Sequence, residues 1–146
     1  MKLNQLSVFL ENKPGQLSAP CRVLSDAGIS ILTLSLADTH QFGILRIVVE
    51  DWEQAKSALE QANCIVNVTS VVAVEVEDKP GGLAGVLEVI DSAEINLEYM
   101  YAFTFRKDGR AVLIFRFENP DAAIAALDQS DVMLIDAERL FELSKQ

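Results

Sequence analysis

One short motif, in which an acidic residue stands ahead of a Lys-Pro-Gly turn, occurs twice in the sequence. "ENKPGQL" occupies residues 11–17, and "EDKPGGL" occupies residues 77–83, 66 positions later. Proline fixes its own φ, and the glycine after it permits backbone angles that a Cβ would forbid. Helical spacing follows each turn, so the unpaired amides and positive dipole of a helix N-terminus would lie there. Such a position suits a small anion, for example a carboxylate.

The residue two positions before each proline adds a second kind of chemistry. Asn12 and Asp78 carry oxygens that can accept hydrogen bonds from an ammonium group. A carboxylate cradle next to an ammonium acceptor describes a site for a free amino acid. The other interpretation is that Pro-Gly only makes a tight strand-to-helix turn. Two copies in register add weight to the ligand site, and both interpretations stay open at this point.

The motif belongs to a longer internal repeat. At the same shift of 66, "LSDAGISI" (residues 24–31) aligns with "IDSAEINL" (residues 90–97), and Gly43 aligns with Gly109. Beyond Gly109 the shift becomes 68, where "VEDWEQAKSALEQAN" aligns with "FENPDAAIAALDQSD". Two extra residues near a turn explain the change, because loops tolerate insertions at low cost. The sequence therefore predicts two domains, residues 1–70 and residues 71–146.

Each repeat begins with an alternating strand and continues with an amphipathic helix. Apolar residues recur with a period of two at Leu6, Val8 and Leu10, and again at Val74 and Val76. After each Pro-Gly turn the apolar spacing becomes helical, at Leu17, Cys21, Leu24 and Ala27 and at Leu83, Leu87, Ile90 and Ala93.

Caps and turns indicate the remaining elements. Gly28 predicts a left-handed end to the first helix, whereas Glu94 at the matching position predicts an ending that differs in detail. Asp51, and Asn119 followed by Pro120, predict the starts of the second helices. Short last strands are expected in "CIVNV" and "VMLID", and the tail "AERLFELSKQ" predicts one more short helix.

The order β-α-β-β-α-β with right-handed crossovers gives a four-stranded antiparallel sheet with two helices on one face. The predicted fold class is α+β: two ferredoxin-like units in tandem, with antiparallel sheets joined side by side and helices on one face. Val48 with Val49, and the run 112–114, place apolar side chains on both faces of the third strands. We therefore expect a second copy of the chain to cover the bare face, which makes a homodimer.

Composition excludes several classes of protein. The formal charge is −10, with −2 in residues 1–70 and −8 in residues 71–146, and such a field repels nucleic acid. The apolar runs are too short to span a membrane, and the first residues lack the pattern of a signal peptide, so a cytoplasmic location is expected. Cys21, His40 and Cys64 are too sparse for a metal site, and no cofactor is predicted.

At this point the sequence resembles a known family, the ACT domain, a small regulatory module that senses amino acids. The matching segments are "NKPGQL" and "AGISI" in the first half, and "DKPGGL" and "AEINL" in the second half. The resemblance as a whole covers both halves and nearly the whole chain. The resemblance implies ligands held between neighbouring modules by the turn and by the start of the second strand. The implied ligand-binding residues are Asn12, Pro14, Gly15, Gln16, Leu17, Ser30 and Ile31, with Asp78, Pro80, Gly81, Gly82, Leu83, Asn96 and Leu97. Asn96 matches the family at the strand start, whereas Ser30 departs from it, which favours unequal use of two sites.

The expected function is that of a small regulator that binds a free amino acid and signals to an enzyme or regulator partner by a change in conformation or assembly. The alternative is a regulator of protein partners whose Pro-Gly turns are purely structural. Catalysis is not expected, because no nucleophile has an adjacent base. RNA-binding modules share this strand order and stack bases on aromatic residues of their strands. The residues that could favour such a function here are Phe103, Phe105, Phe115 and Phe117, with Arg106, Arg110 and Arg116. The acidic charge of this half of the chain argues against RNA binding.

Overall fold

The computed structural model describes residues 1–103 and 108–145, without the side chains of residues 38 and 39. Contacts between Cα atoms divide the chain into two compact units. The first unit is Asn4–Thr69, and the second runs from Ser70 onward together with Met1–Leu3. No helix of the described chain is both long and apolar enough to cross a bilayer.

The first unit is built from antiparallel strands and two helices. β3 pairs with β1 on one side and with β2 on the other. Leu6, Val8 and Leu10 of β1 are buried on one sheet face with residues of both helices, as their period of two predicts. The elements are β1 (Lys2–Glu11), α1 (Ser18–Asp26), β2 (Ile31–Thr39), β3 (Phe42–Val49), α2 (Trp52–Gln61) and β4, which begins at Ile65.

The second unit has the strand order β7-β4-β6-β5, the order of a ferredoxin-like sheet. Val72 and Val74 of β4 share one buried cluster with Val86 and Ile90 of α3, so the helices pack on a single face. The elements are β4 (Ile65–Glu77), α3 (Gly82–Ser92), β5 (Leu97–Ala102), β6 (Arg110–Phe117), α4 (Pro120–Asp128), β7 (Met133–Ile135) and α5 (Ala137–Ser144).

One strand replaces two that the sequence predicts. The expected last strand of the first repeat and the expected first strand of the second are both part of β4, which is 13 residues long. The segment between them, "VTSVV", contains β-branched residues and neither glycine nor proline, so nothing in it interrupts extended backbone.

The helix starts behave as predicted. The Asp51 side chain accepts a hydrogen bond from the Gln54 amide at 3.0 Å, and the Asn119 side chain accepts one from the Ala122 amide at 3.1 Å. The predicted tail helix is α5, whose first turn is capped by Asp136.

The expectation that α3 ends differently from α1 is wrong. Glu94 has φ of 55°, so it adopts the same left-handed conformation as Gly28 at 73°. The following residues make the same closing bond, from the Ile29 amide to the Leu24 carbonyl at 2.9 Å and from the Ile95 amide to the Ile90 carbonyl at 3.2 Å. Glu94 therefore carries backbone strain that glycine avoids, because a Cβ disfavours this region.

The position of the two-residue insertion also differs from the prediction. Gly43 is the Cα partner of Leu10, whereas the residue opposite the matching Val76 is Ala111. Gly43 therefore corresponds to Ala111 and not to Gly109, so the shift has already become 68 before Gly109. The insertion lies earlier than the sequence alignment placed it, in the connection between β5 and β6.

The apolar residues on both faces of the third strands are shielded within the single chain. Val48 and Val49 are both buried, as are Val112, Leu113 and Ile114. The covering of these residues therefore does not require a second copy, and the homodimer stays a prediction that needs its own support.

Candidate functional site

The two Pro-Gly turns are structural copies of each other. Gly15 and Gly81 both have left-handed backbone, with φ of 86° and 89°. The same four backbone hydrogen bonds recur in both turns. In the first turn they run from Asn12 N–H to Gln41 O (2.9 Å), from Lys13 N–H to Glu11 O (3.0 Å), from Gln16 N–H to Lys13 O (3.2 Å) and from Ala19 N–H to Gly15 O (3.2 Å). In the second turn they run from Asp78 N–H to Gly109 O (2.8 Å), from Lys79 N–H to Glu77 O (2.9 Å), from Gly82 N–H to Lys79 O (3.1 Å) and from Gly85 N–H to Gly81 O (3.0 Å).

The helices that follow these turns differ from the other three at their N-termini. α2, α4 and α5 each have an Asp or Asn side chain that caps the first turn. In the described part of the chain, neither α1 nor α3 has a side-chain cap. Helix geometry leaves first-turn amides, such as those of Leu83 and Ala84, without an intrahelical acceptor. The two helices at the Pro-Gly turns therefore present unfilled donors at the positive end of the helix dipole.

An ion pair of the same kind flanks both turns. The Lys13 ammonium contacts the Glu11 carboxylate, and the Lys79 ammonium contacts the Glu77 carboxylate. The hydrogen bond from Lys79, the charge of Lys79 and the charge of Arg110 lower the pKa of the Glu77 carboxyl. Glu77 is consequently ionised at neutral pH and already has a cationic partner.

A cavity of about 750 Å³ lies at the second turn, within the second unit. This volume falls in the range of small-molecule sites. Turn residues Lys79, Pro80, Gly81 and Gly82 form one wall. The remaining lining comes from α3, from the ends of β4 and β6, and from the α4–β7 connection: Glu75, Val76, Glu77, Gly85, Val86, Val89, Arg110, Ser130, Asp131, Val132 and Met133.

The lining of this cavity includes an ion pair between Arg110, which is partly exposed, and Glu75, which is buried. Glu75 retains only 9% of its surface exposed, and its Oε1 accepts a hydrogen bond from Arg110 Nε at 2.6 Å. Its other carboxylate oxygen, Oε2, is buried and has no hydrogen-bond partner in the described part of the chain. A buried carboxylate oxygen without a donor is energetically costly.

Gly82 lets the start of α3 approach the end of β4. A Cβ on Gly82 would lie 2.2 Å from the Glu77 carbonyl oxygen, so any other residue would force the backbone to shift. The first turn has Gln16 at the corresponding position.

Most of the predicted ligand-binding residues of the turns lie at the surface. Pro14, Gly15 and Gln16 are exposed, and so are Asp78, Pro80 and Gly81. The leucines that follow, Leu17 and Leu83, are also exposed. Asn12 is held in place, because its Nδ2 donates to the His40 carbonyl at 2.9 Å.

The strand starts lie at the far end of each helix from the turn. Asn96 and Leu97 follow α3, whose 11 residues span about 16 Å. Asn96 lines a separate cavity of about 560 Å³ with Glu94 and Glu118. Ser30 and Ile31 stand in the same relation to α1. Within one unit, therefore, the turn and the strand start do not form a single site.

Sequence analysis did not identify Glu75, and it considered Arg110 only as a residue that could favour RNA binding. The alternation of Val74, Glu75 and Val76 places Glu75 on the opposite sheet face from the valines, which alone suggests a solvated side chain. Its burial depends on the tertiary structure and left no signal in the sequence. Two residues weighed for RNA binding, Phe105 and Arg106, lie outside the described residues.

Comparison with known proteins agrees with this architecture. The family model described as "ACT domain pair" matches residues 1–144. A search of curated proteins found no match. The crystal structure of protein BT0572 from Bacteroides thetaiotaomicron is 37% identical in sequence, with a TM-score of 0.90 and coverage of 97% of both chains.

A ligand-free crystal structure of the regulatory subunit of aspartate kinase from Thermus thermophilus is 19% identical, with a TM-score of 0.62, and the match covers 86% of this chain and 91% of that one. At this identity the likeness shows the fold only. The family match spans both repeats, including both Pro-Gly turns, and it agrees with the ferredoxin-like strand order of the second unit. The chain therefore belongs to the ACT domain family, as a pair of ACT domains.

Proposed function

We propose that this chain is a regulatory protein that binds a free amino acid at its Pro-Gly turns. The observation that carries the proposal is the contrast among its helices: α1 and α3 lack side-chain caps in the described structure, whereas the other three helices have them. A ligand carboxylate would accept hydrogen bonds from the uncapped amides and interact favourably with the helix dipole.

The exposed leucines after each turn support an amino acid over an inorganic anion. Leu17 and Leu83 lie beside the uncapped amides in the sequence, and both remain exposed. A side chain on the ligand could cover this apolar surface, which an inorganic anion cannot do. The strand-start residues Ser30, Ile31, Asn96 and Leu97 would take part through a neighbouring module, because each lies too far from the turn of its own unit.

Binding can regulate only if it favours one arrangement of the protein over another. We propose that the response is a change in conformation or assembly that a partner protein detects. A homodimer is part of this proposal. It is supported by β2, which pairs only with β3 among the described strands and exposes about half of the surface of Leu34 and Leu36 (51% and 50%).

The proposal is tested by calorimetry and thermal-shift measurements against the standard amino acids. A ligand that binds only the folded state raises stability by about 2.7 kcal/mol at a concentration of 100 times its Kd. Light scattering with and without the ligand tests for the dimer and for a change in assembly.

Gly81→Val is the variant that tests the location. Its positive φ disfavours any L residue, so the turn should deform and saturable binding should be lost. Asp136→Ala is the matched control, because it removes the cap of α5 at a cost of about 1 kcal/mol without touching a turn. Silence across the whole panel would contradict the proposal and favour a regulator of protein partners with structural turns.

A further inference from the structure

β2 is the outer strand of the first unit, and its sequence lacks the residues that usually protect an exposed strand edge. Among the described strands it pairs only with β3. Residues 27–37 include no charged residue and no proline, which are the common means of blocking edge-to-edge pairing. The register with β3 shifts between Ile31 and Thr33, so the regular part of the edge begins at Thr33. From there to Ala37 the strand can accept another strand.

Two leucines on this edge are exposed although they belong to the helix-bearing face of the sheet. Leu34 and Leu36 are 51% and 50% exposed. Their Cα partners on β3 are Ile47 and Leu45, which are buried in the cluster that also contains residues of α1 and α2. The two leucines therefore extend the buried face outward to a point where about half of each side chain still faces water.

The sequence of this segment is nearly symmetrical about Ser35. β2 runs from Ile31 to Thr39, so Ser35 is also its central residue. When two copies of a strand pair antiparallel about a two-fold axis at Ser35, residues at equal distances on its two sides lie opposite each other. Leu34 of one copy then lies opposite Leu36 of the other, with both side chains on the same face.

The outer strand of the second unit is less suited to such pairing. β5 has six residues, whereas β2 has nine. It includes Glu98, whose carboxylate accepts a hydrogen bond from Arg116 Nε at 3.2 Å. Its large apolar and aromatic side chains are all partly buried, namely Leu97, Tyr99, Met100 and Tyr101. The comparison favours β2 as the edge that pairs.

We propose that two copies of the chain associate through β2, in an antiparallel pairing about a two-fold axis at Ser35. The pairing joins the first units of both copies into one continuous sheet. It also brings four leucines, two from each copy, into one apolar row on the helix-bearing face. This inference rests on the homodimer of the proposed function, and it names the surface and the register of that dimer.

The same register brings the strand start of one copy toward the first Pro-Gly turn of the other. In this pairing Thr33 of the second copy lies opposite Ala37. Three residues beyond this pair, in the same direction, are Ser30 of the second copy and His40. The His40 carbonyl accepts a hydrogen bond from Nδ2 of Asn12, a residue of the turn, at 2.9 Å. The dimer therefore supplies a neighbouring module for the first turn, and binding there should depend on assembly.

A charge-pairing experiment tests both the surface and the register. In the double variant Leu34→Lys/Leu36→Lys, each new lysine would lie opposite a lysine of the other copy. In Leu34→Lys/Leu36→Glu, each lysine would lie opposite a glutamate. Like charges directly opposite each other destabilise a strand pair, whereas opposite charges stabilise it. Sedimentation equilibrium measures the dimer Kd of each variant, and circular dichroism confirms that each is folded.

The expected effects differ between the two variants. The Lys/Lys variant should raise the dimer Kd at least about 100-fold, because it removes the apolar row and adds repulsion. The Lys/Glu variant should associate at least about tenfold more tightly than the Lys/Lys variant. Ile65→Lys is the matched control, because Ile65 is 67% exposed and lies on β4, outside the proposed interface. Its dimer Kd should stay within about twofold of the wild-type value, as expected for a distant surface site.

The outcomes separate this inference from the proposed function. A wild-type chain that stays monomeric at every concentration overturns the inference, and so does a Lys/Lys variant that dimerises as the wild type does. Equal dissociation constants for the Lys/Lys and Lys/Glu variants overturn the pairing about Ser35. Amino-acid binding by a monomeric chain would leave the ligand part of the proposed function standing without this dimer. A β2 dimer that binds no amino acid would leave this inference standing without that function.

Discussion

Gly82 provides a sharp test of the geometry at the second turn. We predict that Gly82→Ala destabilises the protein, whereas Gly85→Ala, three residues later in the same helix, stabilises it. The new Cβ at residue 82 would lie 2.2 Å from the Glu77 carbonyl oxygen and 3.4 Å from the Glu77 carbonyl carbon. A Cβ at residue 85 would meet nothing within 4 Å.

The magnitudes follow from these contacts. The Glu77 oxygen is a backbone atom of β4, so the clash is relieved only by moving the end of a strand or the start of α3. Overpacking of this kind costs about 1–3 kcal/mol, and we expect about 2 kcal/mol for Gly82→Ala. Alanine in an exposed helix position is favoured over glycine by about 1 kcal/mol, which sets the expected gain for Gly85→Ala.

Urea unfolding followed by far-ultraviolet circular dichroism measures both effects. With a slope of about 2 kcal/mol per molar urea, the Gly82→Ala midpoint should fall by about 1 M and the Gly85→Ala midpoint should rise by about 0.5 M. The single tryptophan, Trp52, belongs to the first unit, so its fluorescence is not the probe of choice. Hydrogen exchange of second-unit amides localises the change. If Gly82→Ala raises the midpoint as Gly85→Ala does, the close approach of α3 to β4 is absent in solution.

Three further predictions concern other sites. Glu94→Gly should stabilise the protein by about 1 kcal/mol because it relieves the strain of a left-handed backbone at a residue with a Cβ. Gly28→Ala at the matching position should destabilise the protein by a similar amount. Thermal unfolding measures both changes, and equal stabilities of the two variants would contradict the shared left-handed ending of α1 and α3. Asn119→Ala should cost about 1 kcal/mol through loss of the α4 cap, and urea unfolding measures it. The pKa of Glu77 is lowered mainly by its hydrogen bond from Lys79 and by the charge of Lys79, so this pairing contributes to stability at neutral pH. The contribution is lost as the pH falls through the lowered folded-state pKa. Lys79→Met should therefore raise the pKa of Glu77 toward the usual value of a glutamate carboxyl, which a ¹³C titration measures.

Local chemistry decided which parts of the fold the sequence could predict. Asp51 and Asn119 cap helices because their short side chains reach amides only three residues away, and neighbouring residues contain all the information required. The alternation of Leu6, Val8 and Leu10 likewise reports a face of one strand. These features depend on neighbours in the chain, so a single sequence suffices to find them.

Features set by tertiary structure were not predictable in the same way. Local preference disfavours a left-handed Glu94, and the residue adopts it because the closing bond from Ile95 to Ile90 requires that turn. The burial of Glu75 depends on what packs over its sheet face, and the strand pattern alone suggests an exposed residue. The ion pair of Glu75 with Arg110 in the lining of the cavity at the second turn was missed for this reason.

The two Pro-Gly turns show why similarity of sequence predicted shape better than binding. Backbone geometry at the turns is fixed by proline, by a left-handed glycine and by main-chain hydrogen bonds, and these are identical in both repeats. The surroundings are contributed by residues outside the motif, and there Phe9 stands where Glu75 does and Gln16 stands where Gly82 does. A carboxylate needs only the amides at the head of a helix, but an ammonium group needs an acceptor. Because the surroundings differ in this way, the shared backbone predicts the same amide donors at both turns, and it does not predict the same acceptor groups beside them.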